Sequence, residues 1–288
     1  MTPPYLERLA DRAAALGTVL CLGVDPDPAT LPEGFSRDVA GVEAFAMLLV
    51  RAAAPFAAAV KPNLAFFEAF GSAGLAAFER VRAAVPSGIP VVIDAKRGDI
   101  GSTSARHAAA LYDALGADAI TVSPYLGEEA LRPLIERLDR LAYVLCRTSN
   151  PGAGELQDLP LGAGDGRPAE PLWARVAARA AGWGPGGTVG LVVGATAPRE
   201  LEAIRAIAPN LPFLVPGVGA QGGEVESVLK AGPTRDGRAG GGLLISVSRG
   251  ISTIAPGAGS VADGAPDDLG ERLAEQARSW AARLPVLR

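Results

Sequence analysis

Short apolar runs of strand length recur along the chain. Eight of them can be distinguished, and most are apolar at nearly every position rather than at every second one. Continuous apolar runs of this kind are typical of parallel strands that are buried on both faces. The predicted strands are residues 18–24, 57–62, 89–94, 118–123, 142–148, 188–194, 212–217 and 243–248.

Between these strands lie segments whose apolar residues recur at helical spacing. The spacing predicts amphipathic helices that pack against a sheet. Pro133 falls inside one of these segments, where it predicts a kink or a break. The predicted helices are residues 4–16 ahead of the first strand, then 42–54, 74–85, 102–116, 127–139, 171–182, 198–208, 222–232 and 267–284.

The strict alternation of strand and helix predicts a closed parallel barrel. Eight βα units favour an α/β fold of the (β/α)8 TIM barrel type, as a single domain over residues 1–288 with an extra N-terminal helix. A doubly wound sheet is the competing architecture. That fold usually carries a glycine-rich nucleotide-binding turn after its first strand, where this chain has GVDPDP. The barrel is therefore favoured.

Two segments interrupt the regular alternation. The Gly- and Pro-rich stretch 150–171 follows the fifth strand, so we expect it at the end of the barrel that carries chemistry. The insertion 232–242 follows a helix instead. We therefore expect this insertion at the opposite end, without a part in catalysis.

Composition narrows the classes of function. The net charge is −4, and no Lys/Arg block exceeds a few residues, which argues against a nucleic-acid-binding face. Charged residues interrupt the apolar runs, so we expect no membrane span, and MTPPYLERLADRAAALG lacks the apolar core of a signal peptide. Cys21 and Cys146 are expected as reduced, buried thiols of a cytoplasmic protein, with a disulfide between them as the alternative.

Charged residues gather where the third predicted strand ends. The segment VVIDAKRGDIGST (91–103) begins as an apolar strand and then carries Asp94, Lys96, Arg97 and Asp99. Asp94 and Lys96 are two residues apart, so their side chains point to the same side of an extended strand. A structural ion pair that caps the barrel is one explanation of this pair. For Arg97 the sequence suggests no role.

The first two strands also end in charged residues. Asp25 follows the first strand, Lys61 lies in the second, and all strands of a parallel barrel present their carboxyl ends at the catalytic face. A lysine held between carboxylates stays protonated and fixed in direction, ready to act as a general acid. A carboxylate in such an array repels an anionic substrate group and favours its loss. The alternative for Asp99 and Thr103 is a purely structural role at the start of the next predicted helix. There an aspartate is a favourable charge, and a threonine often bonds the backbone.

The sequences after the last two strands are suited to binding an anion. PGVGAQGG (216–223) surrounds Gln221 with glycines before a predicted helix, and SVSRGI (246–251) places Arg249 after the eighth strand. Loops at these positions form the usual phosphate site of barrels, and a guanidinium adds a fork of donors. The alternative is a glycine-rich turn with a solvated arginine. The single histidine, His107, is interpreted as a packed or surface residue.

The combination of these motifs resembles the orotidine 5′-phosphate decarboxylase family, especially its longer bacterial subgroup. The similarity covers nearly the whole chain and includes CLGVDPDP (21–28), DAKRGDIGST (94–103) and PGVGAQGG together with SRGI (248–251). The D-x-K-x-x-D core alone is shared with sugar-phosphate decarboxylases and synthases. The resemblance implies that orotidine 5′-monophosphate is converted to UMP and CO2 in pyrimidine biosynthesis, without metal or organic cofactor, by a homodimer with shared active sites.

The resemblance also implies roles for the charged array. Lys96 would protonate C6 of the pyrimidine after CO2 leaves, and Asp94 would lie against the departing carboxylate. Lys61 would bridge Asp94 and the ribose side. Asp99 would complete the array from the neighbouring subunit.

The remaining roles that the resemblance implies concern substrate binding. Asp25 would hold ribose hydroxyls, and Thr103 would reach the ribose from the neighbouring subunit. Ser149 would bond the pyrimidine ring. Gln221 and Arg249 would bind the phosphate.

Two alternatives stay open at this point. A metal-dependent sugar-phosphate decarboxylase or aldolase of the same superfamily needs a metal-binding acid at the end of the second strand, where this chain has Lys61. A non-catalytic protein that binds phosphate ligands is the other alternative. The presence of Asp94, Lys96 and Asp99 together argues against it.

Overall fold

Eight parallel strands form a barrel in the computed structural model, which describes residues 3–162, 169–219, 222–253 and 266–287. Two further two-residue strands, β6 and β7, pair with each other in antiparallel fashion after β5. The strands are β1 Leu20–Val24, β2 Ala59–Pro62, β3 Val92–Arg97, β4 Ala119–Val122, β5 Leu141–Arg147, β6 Pro160–Leu161, β7 Glu170–Pro171, β8 Val189–Val193, β9 Phe213–Pro216 and β10 Leu243–Val247.

The barrel strands follow one another around the sheet in chain order. The order is β2-β1-β10-β9-β8-β5-β4-β3, and each described pairing is parallel. Single bridges close the remaining gap between β2 and β3, where Val60 pairs with Val91 and Asn63 pairs with Asp94. The amide of Leu64 also donates to the carbonyl of Asp94 over 3.2 Å. The predicted (β/α)8 barrel is confirmed.

Helices surround the barrel close to the predicted positions, with local differences that have physical causes. The carboxylate of Asp38 caps α2, so this helix begins at residue 39 rather than 42. The helix that contains Pro133 ends at Ile135, four residues before the predicted end at 139. The helices are α1 Tyr5–Leu16, α2 Val39–Ala53, α3 Ala65–Glu68, α4 Gly71–Ala84, α5 Gly101–Ala108, α6 Glu128–Ile135, α7 Gly154–Gln157, α8 Leu172–Ala180, α9 Pro198–Ile207, α10 Val225–Ala231, α11 Arg249–Ser252 and α12 Pro266–Arg283.

The additional helix α1 packs against the amino-terminal end of the barrel. Its apolar face joins residues from the starts of the strands in one buried cluster, and the hydroxyls of Tyr5 and Tyr143 lie 3.1 Å apart. Arg8 anchors the same helix to Asp118 over 2.8 Å. Gly240, in the insertion 232–242, lies against Ala13 of α1, so the insertion is at the end of the barrel opposite the strand carboxyl ends.

Helix α2 differs from the expectation that charges interrupt every long apolar run. Residues Val39–Phe56 are long and apolar enough to cross a membrane, with a mean hydropathy of 1.6. In this fold α2 contacts β1, α4 and α12, and it buries Val42, Phe45 and Leu49 against them. The apolar composition of α2 is therefore explained by its packing on the barrel.

The two cysteines lie in different strands. Cys21 is in β1 and Cys146 is in β5, and both are buried and free. Burial raises the pKa of each thiol to about 12. The prediction of two reduced thiols is confirmed, and the alternative of a disulfide is not.

Candidate active site

Asp94 lies at the centre of a charged cluster near the carboxyl ends of β2, β3 and β4. Lys61 Nζ donates to its Oδ2 over 2.9 Å, and Lys96 Nζ donates to its Oδ1 over 2.6 Å. Thr121 Oγ1 donates to the same Oδ1 over 2.8 Å. The side chains of Lys61 and Asp94 are only 6% and 12% exposed, whereas that of Lys96 is 52% exposed. The array is therefore anchored inside the barrel and open to solvent at Lys96.

The close packing of opposite charges sets the ionisation of the buried pair. Burial alone would raise the pKa of the Asp94 carboxyl, but the ammonium groups of Lys61 and Lys96 outweigh it and hold this pKa well below its usual range. Burial would likewise lower the pKa of Lys61, but Asp94 and Asp25 outweigh it and raise that pKa above its usual value. At neutral pH Asp94 is ionised and Lys61 is protonated.

Asp25 lies beside this pair at the end of β1. In the parallel register of β1 and β2, Gly23 is opposite Lys61 and Val24 is opposite Pro62. The Oδ1 atom of Asp25 is buried and has no hydrogen-bond partner among the described residues. A buried carboxylate oxygen without a partner is costly, so it is suited to accept a hydrogen bond from a bound hydroxyl.

The backbone of β3 is bent where it carries Lys96. Lys96 has a φ of +48°, which lies in the left-handed region of backbone conformation. Among the described residues it is the one non-glycine residue with a positive φ. A left-handed lysine of this kind costs on the order of 1–3 kcal/mol. The pairing of β3 with β4 shifts in register between Ile93 and Arg97. A Cβ at Gly98 would lie 2.7 Å from the carbonyl oxygen of Ser123, so glycine permits the strands to approach closely just after the bend.

Arg97, for which the sequence suggested no role, links β3 to the segment after β2. Its Nη1 donates to the carbonyl of Ala95 over 3.1 Å, and its Nη2 forms an ion pair with Glu68 in α3. Glu68 follows β2 and Arg97 lies in β3, so the ion pair spans the gap between β2 and β3 that single bridges close. Arg97 therefore stabilises the part of the barrel that holds Lys61 next to Asp94.

Among the described residues, Asp99 and Thr103 have no hydrogen bond or ion pair with this cluster. The Asp99 carboxylate accepts the amide of Ile100 over 2.7 Å. The buried hydroxyl of Ser104 donates to the Asp99 carbonyl over 2.8 Å. This bond holds the turn before α5 in a defined shape, with the Ile100 side chain 60% exposed.

Ser149 is held at the end of β5 by its neighbours. A Cβ at Gly194 would lie 2.7 Å from the amide nitrogen of Ser149, so the glycine permits this close approach. Gln157 Oε1 accepts the amide of Thr148 over 2.8 Å, and Asp158 accepts two bonds from Arg147. The start of the segment 150–171 is thus fastened to the strand that presents Ser149.

The glycine-rich ends of β9 and β10 lie against one tryptophan. Trp280 Nε1 donates to the carbonyl of Gly250 over 3.0 Å, and a Cβ at Gly219 would lie 3.0 Å from the Trp280 ring. Arg249 is exposed at the start of α11, next to Gly250. Gln221, the other predicted phosphate ligand, lies outside the described residues.

Sequence reasoning missed two residues of this region. Thr121 is a polar residue in the otherwise apolar run AITV, and that interruption was the available signal. Trp280 lies in the last predicted helix, and the sequence contained no sign that it packs against both glycine-rich ends. Thr121 and Trp280 each contact residues that are distant from them in the sequence, Asp94 and Gly250 respectively, so no local pattern indicates these contacts.

Comparisons with known proteins agree with these features. The model of the orotidine 5′-phosphate decarboxylase / HUMPS family matches residues 18–261. The orotidine 5′-phosphate decarboxylase of Thermomicrobium roseum is 45% identical over 281 residues, which cover 97% of this chain and 93% of the relative. The solved structure of OMP decarboxylase from Leishmania donovani is 40% identical, with a TM-score of 0.76 and coverage of 96% of this chain and 98% of that one. The UMP synthase of the same organism is 42% identical with a TM-score of 0.79, and this chain spans 56% of its length.

Proposed function

This chain belongs to the orotidine 5′-phosphate decarboxylase / HUMPS family and decarboxylates orotidine 5′-monophosphate to UMP and CO2, and we propose how its residues divide that work. The observation that carries the proposal is the array in which Asp94 bonds both Lys61 and Lys96 while Lys96 stays open to solvent. Such an array presents an ammonium group and a carboxylate side by side to a bound substrate.

Lys96 is the proton donor. When the bond between C6 and the carboxylate breaks, its electron pair stays on C6 and CO2 departs. The fixed ammonium of Lys96 stabilises the negative charge that develops on C6 and then gives it a proton, so that a C–H bond forms and the amine is left neutral. The amine regains a proton from solvent. The ammonium supplies the positive charge, so the proposed steps use no metal and no organic cofactor.

Asp94 and Lys61 prepare the site for this step. Asp94 is ionised, so a substrate carboxylate next to it is repelled, and that repulsion is relieved when the carboxylate leaves as neutral CO2. Lys61 keeps Asp94 ionised and fixed on its inner side. The Oδ1 of Asp25, which has no hydrogen-bond partner among the described residues, is available to ribose hydroxyls beside Lys61.

Remote parts of the substrate supply the binding energy. Ser149 bonds the pyrimidine, and Arg249 and Gln221 bind the phosphate next to the glycine-rich ends of β9 and β10. Binding energy from a phosphate that does not react can offset the unfavourable contact between Asp94 and the substrate carboxylate.

The complete site includes a second subunit. Among the described residues, neither Asp99 nor Thr103 has a hydrogen bond or ion pair with the cluster of its own chain, and we infer that both act in the site of a partner in a homodimer. The exposed side chains of Ile100, Tyr125 and Leu126 follow the ends of β3 and β4 and supply apolar surface for this contact. Two buried reduced thiols fit a cytoplasmic enzyme.

The test follows the loss of orotidine 5′-monophosphate absorbance with purified protein in the presence of EDTA. We expect turnover to persist, and turnover that vanishes with the chelator would favour the metal-dependent alternative.

Lys96→Ala should lower kcat by at least about 10³-fold because the proton donor is lost, while UMP binding measured by calorimetry persists. Lys230→Ala, on the exposed side of α10, is the matched control and should leave kcat unchanged. An active Lys96→Ala variant would show that another group donates the proton.

A further inference from the structure

Thr121 connects the carboxylate of the charged cluster with the bent backbone that carries Lys96. Its hydroxyl donates to Asp94 Oδ1 over 2.8 Å. The same oxygen accepts the amides of Ala95 and Lys96 over 3.1 and 3.0 Å. A single buried side chain of β4 thus contacts both functional parts of β3.

The direction of each bond follows from the chemistry of the partners. Backbone N–H groups can only donate, and an ionised carboxylate can only accept. The hydroxyl hydrogen therefore goes to Asp94, and the two oxygen lone pairs receive the two amides. Thr121 is 2% exposed and its hydrogen-bonding capacity is fully used within β3.

These bonds hold a conformation that Lys96 would not adopt by itself. Its φ of +48° is unfavourable for a residue with a side chain, and the shift in register removes regular pairing with β4 at this point. Two successive amides that share the Thr121 oxygen replace the missing strand pairing. The third bond of Thr121 fixes the oxygen of Asp94 to which Lys96 Nζ also binds.

We infer that Thr121 is a positioning residue for the decarboxylation: it holds the Lys96 backbone and the Asp94 carboxylate so that the ammonium meets C6. This inference rests on the proposed function of Lys96. Loss of the hydroxyl frees the backbone at Lys96 to relax and leaves Asp94 Oδ1 one donor short. Because Thr121 does not reach the substrate itself, its loss should affect kcat far more than KM.

Two substitutions at the same position isolate the hydroxyl. Thr121→Ser and Thr121→Ala both lose the γ-methyl group, but only serine keeps the oxygen, so the difference between the two variants reports the hydroxyl. We expect Thr121→Ser to retain kcat within about threefold and Thr121→Ala to lose about 10- to 100-fold, since a displacement near 1 Å at a reacting group costs about this much. KM should change by less than about threefold in both. Thr188→Ala, at a buried hydroxyl without a partner among the described residues, is the control and should match wild type.

Equal kcat values for the serine and alanine variants would overturn the inference, as would a loss carried by KM. Crystal structures of the two variants give a readout independent of turnover: φ of Lys96 should stay positive with serine and become negative with alanine. An unchanged Lys96 in Thr121→Ala also overturns the inference. Wild-type protein without turnover would contradict the proposed function instead, and the crystal structures would still decide whether Thr121 holds Lys96.

Discussion

At the scale of single residues, the chain uses lysine sparingly and mostly at the candidate site. Of 27 Lys and Arg residues, the lysines are Lys61, Lys96 and Lys230, and the first two bind Asp94. Structural ion pairs elsewhere, such as those of Arg80 and Arg137, use arginine. An arginine does not release its proton in proteins, whereas a lysine can. A lysine, rather than an arginine, is therefore suited to the proton transfer proposed for Lys96.

The ionisation of Asp94 predicts how the stability of the protein depends on pH. Its pKa in the folded state lies below that of an unfolded aspartate, so the folded state binds this proton less tightly. The stabilisation is complete above about pH 5 and is lost as the pH falls through about 4 towards the lower folded pKa. We expect the difference in unfolding free energy between wild type and Asp94→Asn to shrink by on the order of 1 kcal/mol from pH 6 to pH 3.

Urea denaturation at a series of pH values measures this difference. Asp11→Asn makes the same change of charge on the exposed face of α1, and its own pH series corrects for the general effect of acid. A difference between wild type and Asp94→Asn that stays constant down to pH 3, after this correction, would contradict the ion-paired state of Asp94.

At the scale of elements, Arg205 joins α9, α10 and β9 through backbone carbonyls and an aromatic ring. From α9 its guanidinium donates to the carbonyls of Ala208, Leu211 and Gly232, and it stacks on Phe213 of β9 with 3.6 Å to the ring centre. Burial lowers the pKa of Arg205 to about 10, which still leaves it charged at neutral pH. The side chain thus fixes the ends of α9 and α10 against β9.

Removal of this guanidinium should destabilise the barrel without changing its chemistry. Arg205→Met leaves several buried carbonyls without a donor, so we expect a loss of about 3 kcal/mol in unfolding free energy by urea denaturation. Arg199→Met, on the exposed face of the same helix, should cost less than about 0.5 kcal/mol. Equal losses for both variants would show that the carbonyl contacts of Arg205 contribute little.

The elements themselves were largely predictable because each depends on a local pattern. Every barrel strand lies within or next to its predicted range. β3 is the informative exception, since it continues to Arg97 instead of ending at Asp94. Charged residues usually end a buried strand, but here Lys61 and Thr121 from neighbouring strands satisfy Asp94, and Glu68 pairs with Arg97. These partners are distant in sequence, so no local pattern could indicate them.

At the scale of the whole molecule, the two ends of the barrel have different tasks. The carboxyl ends of the strands carry the charged array, whereas α1 and the insertion 232–242 cover the amino-terminal end. The apolar strands between them form one closed sheet, so we expect the chain to unfold as a single domain. Substitutions at the amino-terminal end should therefore act on stability rather than on turnover.

A mixed dimer tests whether the active site is shared. If Asp99 serves the partner's site, a dimer of one Lys96→Ala chain and one Asp99→Ala chain contains one site with both residues intact. Random exchange after mild denaturation should then restore about a quarter of wild-type activity from two inactive parents, because half of the dimers are mixed and each has one intact site. Turnover of orotidine 5′-monophosphate before and after exchange measures the recovery.

The matched control exchanges Lys96→Ala with Asp94→Ala. Both residues belong to the same subunit's array, so neither site of that mixed dimer is complete and no activity should return. No recovery in the Asp99 experiment would contradict a site shared through Asp99. Recovery in the control would show that returning activity does not report which subunit supplies Asp99.

The sequence by itself determined the barrel and the set of residues available for chemistry. Periodicity and the order of elements are local properties, and the ends of parallel strands necessarily meet at one face, so Asp25, Lys61, Asp94 and Lys96 could be grouped without coordinates. Only the tertiary structure decided how they are held: the left-handed Lys96, the Thr121 hydroxyl beneath it and the Arg97–Glu68 link across the last gap of the barrel. These features depend on distances between distant segments, which arise only when the chain packs.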